Sequence, residues 1–234
     1  MKATQTVLAA LVACSLFPLS QSLLAAAEAT AERPAARPTA EKTASVSEEK
    51  EKKKPVDLKV GDKAPKFSGQ TDRGKNWKSE EHIGKKILVV YFYPADMTSG
   101  CTKQACSYRD AVKALGEDES ALPRRALPIE VIGVSGDSVE NHKHFRQEHK
   151  LNFTLLADPK GEIAKVFGVK TGKGGKVNWQ LDGHPIELVR GVTTSRWTFV
   201  IGPNGKIVYK NDKVDPRKDA GLVMKAIESL KTEE

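Results

Sequence analysis

Cysteine is scarce in this chain: there are three among 234 residues, Cys14, Cys101 and Cys106. A clean apolar run long enough to cross a membrane is also missing. The best candidate, residues 7–27, is broken by Pro18, Ser20, Gln21 and Ser22 before it reaches the roughly 18 apolar residues a spanning helix needs. No block of cations interleaves with aromatics, so the net charge of +8 leaves no nucleic-acid footprint. The excess is diffuse: the first 55 residues hold 8 Lys and Arg against 6 Asp and Glu, and the remainder holds 30 against 24. No internal repeat is present. The length then leaves room for one substantial domain, or at most two small ones.

Two N-terminal segments stand outside that domain. Lys2 is followed by an Ala- and Leu-dominated stretch that closes on Ala25, Ala26 and Ala27. A positive start, an apolar middle and small residues at the end predict a signal peptide over residues 1–27, hence export, with cleavage near Ala27 or Ala29. "LVAC" (Leu11 to Cys14) offers a competing lipoprotein box with Cys14 lipidated. The apolar residues continuing after Cys14 argue against it. Residues 28–55 contain no aromatic, and Val46 is their only large aliphatic. They cannot bury enough apolar surface to offset ordering entropy, so a disordered linker is expected, with "EEKEKKK" as solvated mixed charge.

From residue 56 onward the pattern is that of a folded α/β domain. "DLKVGDKAPKFSGQTDRGKNWKS" reads as an opening loop and a hairpin, and "KKILVVYFYPA" as a strand buried on both faces. The period then changes, with Cys101, Ala105, Tyr108, Val112 and Leu115 on one helical stripe. "IEVIGVSGDS" is a second buried strand and "VENHKHFRQEHK" a helix. A short strand, a turn at Asp158-Pro159 and a helix ending at Gly168 follow. "RWTFVIGPNGKIVYKND" is a hairpin, and a helix closes the chain. This alternation predicts a central mixed β-sheet with helices on both faces. Thr171 to Thr194, with five glycines, reads as a long loop.

With Cys14 removed, export leaves two thiols, five residues apart, in a compartment where thiols oxidise readily. A cysteine in the first turn after a buried strand faces unpaired backbone N–H groups and the positive end of the helix dipole. Both favour the thiolate, which is the nucleophilic form. Thr98 lies three residues upstream, and Pro94 and Gly100 shape the intervening loop. Position alone leaves a second reading open, in which Cys101 is a small apolar residue on the buried stripe.

"YFYPADMTSGCTKQACSYRD" resembles the active-site segment of peroxiredoxins, whose Pro-x-x-x-Thr/Ser-x-x-Cys signature falls here on Pro94, Thr98 and Cys101. The second cysteine five residues on, and Arg196 in "SRWTFVIGPNGKI", resemble the Q-type, or bacterioferritin-comigratory, branch. The similarity runs from about Val56 to the C-terminus, including "VIGVSGDSVENHKHF" and "LNFTLLAD". It implies a thioredoxin-like fold and thiol-dependent peroxide reduction without a cofactor or metal. By the resemblance Cys101 is peroxidatic, Cys106 is resolving through an intramolecular disulfide, and Arg196, Thr98 and Pro94 complete the site. A thioredoxin-like donor recycles the disulfide, and a monomer is expected. Two departures stand out: Ser99 replaces a common proline, and the Thr171–Thr194 excursion is long for this branch.

Other readings compete. Exported thiol–disulfide oxidoreductases use Cys-x-x-Cys, whereas four residues separate the cysteines here. Copper-delivery proteins of similar fold combine Cys-x-x-x-Cys with a distant His. The five histidines are His82, His142, His144, His149 and His184, and they read as a solvated face. A redox-sensing partner module would oxidise without turnover.

Overall fold

The uninterrupted β-branched and aromatic run Ile87–Phe92 forms the buried central strand, β3, in a computed structural model that describes residues 56–117, 127–181 and 183–230. The expected leader, the linker and Cys14 lie outside the described residues.

β1 (Ser68–Thr71) and β2 (Asn76–Lys78) are the opening hairpin. After β3 come α1 (Ser99–Glu117), β4 (Ile129–Ser135), α2 (Val139–His149), β5 (Thr154–Ala157) and α3 (Glu162–Val166). Next are β6 (Thr171–Leu181), β7 (His184–Thr194), β8 (Trp197–Ile201), β9 (Ile207–Asn211) and α4 (Asp219–Ser229). Seven strands form one mixed sheet in the order β2-β1-β5-β4-β3-β8-β9. β3, β4 and β5 run parallel, and the remaining pairs are antiparallel. The expected central mixed sheet is therefore present.

Alternation along β3 divides the core. Ile87, Val89, Tyr91 and Tyr93 face a cluster containing Tyr108 of α1, Phe145 of α2, and Val223 and Ile227 of α4. Leu88, Val90 and Phe92 face a second cluster containing Ile163 and Ala164 of α3. Period-2 alternation sends successive side chains to opposite faces, so helices cover both.

One expectation fails. The segment Thr171–Thr194 is a two-stranded antiparallel ribbon, paired from Thr171 opposite Thr194 to Leu181 opposite His184. The opposed pairs Val177–Leu188 and Trp179–Ile186 put apolar side chains on one face, and Leu188, Trp179 and Ile186 join the core. The glycine-rich half disguises this pattern because glycine contributes no side chain to the alternation. Two glycines serve close approach instead. A Cβ on Gly191 would stand 2.0 Å from the Pro159 carbonyl oxygen, and one on Gly136 would stand 2.0 Å from that of Val192. The Gly191 N–H donates to the Gly136 carbonyl, so bare backbone seats the ribbon against the sheet.

Candidate active site

β3 ends beside the start of β8: Phe92 pairs with Trp197. Because the two strands are antiparallel, the residue before β8 lies next to the loop that follows β3. Arg196 is that residue, and Cys101 is the third residue of α1. Arg196 Nη2 donates to Cys101 Sγ at 3.2 Å, across 95 residues of sequence. Cys101 is only 1% exposed, and a buried sulfur anion is tolerated only where donors reach it. A Cβ on Gly100 would stand 3.5 Å from Arg196 Nη2 and 3.8 Å from Pro216, so the guanidinium lies directly over the backbone of the helix start.

Arg196 is itself held. Its Nη1 donates to Gln104 Oε1, and Gln104 Nε2 donates at 2.7 Å to Oδ2 of Asp219, which is fully buried. Tyr108 and Thr198 hydroxyls donate to the same oxygen at 2.7 and 2.8 Å.

The loop from Pro94 to Thr98 is equally constrained. Met97 adopts φ 59°, a left-handed conformation that strains a residue with a Cβ. Thr98 Oγ1 donates to the Ala95 carbonyl at 3.0 Å, which closes the loop and leaves the hydroxyl lone pairs for an incoming donor. Half-buried Pro94 opens the loop. Asp96 fixes its middle: its backbone N–H donates to Asp137, and its carboxylate accepts from the Tyr93 hydroxyl at 2.7 Å. The other oxygen meets His142 Nδ1 at 2.8 Å, while His142 Nε2 meets the Leu156 carbonyl at 3.2 Å.

His142 corrects the solvated-face expectation, because it is completely buried. Its ring nitrogens face the Asp96 carboxylate and the Leu156 carbonyl, an arrangement that suits the charged imidazolium as donor to both. Burial is the largest influence on its pKa and pulls it down, but the Asp96 charge and hydrogen bond, with Asp137 behind, outweigh it and hold the pKa above the ordinary value. Burial also pushes the Asp96 carboxyl up, against the lowering effect of His142. Of the other histidines, His82 pairs with Glu130 and stacks on Trp77, and His144 lies 3.5 Å from Glu140. No group of three metal-ligating side chains forms among the described residues.

Cys106 lies further along α1, half-buried, and both cysteines are free thiols. The structure thus brings Cys101 and Arg196 together beside Thr98 and Pro94, and sets Cys106 on the same helix. Sequence reasoning missed Gln104, Asp219 and the Asp96–His142 pair. Gln104 had a signal, since a residue three after Cys101 shares its helical face. Asp219 had none, because its role depends on where α4 begins against α1.

Comparison with known proteins gives the chain's family. Residues 60–210 match the AhpC/TSA family. Over 173 residues the chain is 36% identical to the chloroplastic peroxiredoxin Q of Sedum lineare, covering 73% of this chain and 78% of that protein. It is 34% identical over 174 residues to peroxiredoxin Bcp of Bacillus subtilis, covering 74% and 96%. The crystal structure of peroxidoxin BcpB from Mycobacterium tuberculosis superposes with a TM-score of 0.57 at 26% identity, covering 74% of this chain and 98% of that one.

Proposed function

The chain belongs to the AhpC/TSA family, as a thiol peroxidase of the peroxiredoxin Q/Bcp type, and from that premise we propose that Cys101 is its peroxide-attacking thiol and Cys106 its resolving thiol. The observation that carries the assignment is Arg196 Nη2, donating to Cys101 Sγ at 3.2 Å over a helix start. The guanidinium is a charged donor aimed at the sulfur, and the thiolate is the attacking form of a cysteine.

The thiolate attacks one peroxide oxygen. An S–O bond forms as the O–O bond breaks, and the leaving oxygen takes a proton and departs as water or an alcohol. Thr98 Oγ1, with its own proton committed to Ala95, accepts a hydrogen bond from the incoming peroxide. Arg196 holds the oxygens as charge moves onto the leaving one. Pro94 shields the sulfur from water. The Cys106 thiol then condenses with the sulfenic acid, expelling water and forming the disulfide, which a thioredoxin-like dithiol reduces. One chain completes the cycle, which supports a monomer. Replacing Cys101 with serine tests the assignment: peroxide consumption should disappear with every electron donor, and substantial residual turnover would end it.

The proposal extends to the N-terminus, with residues 1–27 as an export leader and 28–55 as a linker. Support comes from Lys2, the apolar middle and the three alanines at 25–27. N-terminal sequencing of the protein from cells should begin near Glu28 or Thr30. A lipidated fragment starting at Cys14 would replace this reading with a membrane tether.

A further inference from the structure

The active-site arginine does not stand alone: Gln104 holds it, and Gln104 is held in turn by a carboxylate on a different helix. Asp219 is the first residue of α4 and is completely inaccessible. Its Oδ2 accepts from Gln104 Nε2, Tyr108 and Thr198, drawing together α1, β8 and α4. The chemistry leaves Gln104 one orientation. A carboxylate only accepts and a guanidinium only donates, so the amide must point Nε2 at Asp219 and Oε1 at Arg196. A donor polarised by a carboxylate makes the far end of its amide a better acceptor. Arg196 Nη1 rests on that acceptor, and Nη2 of the same rigid plane reaches Cys101 Sγ.

We propose that Asp219 is a positioning residue for the peroxidatic cysteine, acting through Gln104 and Arg196 to keep a guanidinium N–H on the sulfur. The inference rests on the assignment of Cys101 given above. Its sign sets it apart from simple electrostatics. As a bare negative charge beside the site, Asp219 would oppose an anion at Cys101. As the anchor of the relay, it supports that anion. A purely structural Asp219 would do neither and would affect stability alone.

The test follows Cys101 alkylation by iodoacetamide against pH in the full chain, read by peptide-resolved mass spectrometry, beside peroxide-reduction rates. In Asp219→Ala the alkylation midpoint should move to higher pH, and the second-order rate with hydrogen peroxide should fall about tenfold, less than the roughly 10²–10³-fold for losing the charge-stabilising donor itself. Asp219→Asn keeps the shape and one acceptor oxygen, so its effects should lie between wild type and alanine. It also covers the case in which the alanine variant does not fold. In a Gln104→Leu background, which breaks the relay but keeps the bonds to Tyr108 and Thr198, replacing Asp219 should add nothing further. A folded Asp219 variant with a wild-type midpoint and rate overturns the proposal, as does a midpoint moved to lower pH. A wild-type midpoint in Gln104→Leu overturns it whatever becomes of the Asp219 variants. Because alkylation needs no peroxide, a shifted midpoint with no peroxidase activity in wild type would refute the peroxidase assignment and leave the relay standing.

Discussion

Cys101 and Cys106 share one unbroken helix, α1, five positions apart and unbonded. On an ideal helix that spacing gives a rotation of roughly 140° and a rise of about 7.5 Å, hence Cα atoms roughly 8–9 Å apart. A disulfide needs about 4.4–6.8 Å. The two sulfurs therefore bond only if the start of α1 unwinds in each cycle. Peroxide treatment should increase amide exchange across residues 98–109 while β3, buried on both faces, stays protected. An oxidised protein carrying the disulfide with full protection over 98–109 would refute local unwinding.

Arg196 sets the rate of the first step in this account. Arg196→Ala should keep the fold, since the side chain is half-buried at the edge of β8, and should lower the peroxide rate by about 10²–10³-fold, the scale for losing one preorganised charge-stabilising group. Stopped-flow measurement of the first oxidation step checks this. A rate within a factor of two of wild type would remove Arg196 from the chemistry.

The buried His142–Asp96 pair gives the active-site loop a pH-dependent anchor. With its folded pKa raised, His142 contributes stability that is fully present below its unfolded value of about 6.5 and is lost as pH climbs through the folded value. His142→Gln removes one partner of a buried pair and should cost about 3–5 kcal/mol at pH 6. The gap between wild type and variant in urea unfolding should narrow steadily from pH 6.5 upward. A gap independent of pH would mean that His142 is held neutral in the folded protein.

Legibility in the sequence followed the range over which each signal acts. β3 could be read because six consecutive buried residues leave a dense apolar run, and α1 because its buried stripe repeats every three or four residues. Cys101, Thr98 and Pro94 were readable because their relation is local. Arg196 was found through the resemblance, and its physical cause, the antiparallel pairing of β8 with β3, exists only in the folded sheet. The β6–β7 ribbon was hidden because Gly172, Gly174 and Gly175 carry no side chains with which to mark a strand. His142 was misjudged for a similar reason. Most of its neighbours on α2 are polar or charged, and the acceptors that permit its burial lie 46 and 14 residues away, at Asp96 and Leu156.

The division of labour between the two thiols is tested most directly by peptide mapping of the full chain after one equivalent of hydrogen peroxide. The map is read with and without a sulfenic-acid trap. Wild type should yield a single intrachain bond between Cys101 and Cys106, and Cys106→Ser should yield the trap adduct on Cys101. A trap adduct on Cys106 in Cys101→Ser, formed as fast as wild type consumes peroxide, would contradict the account.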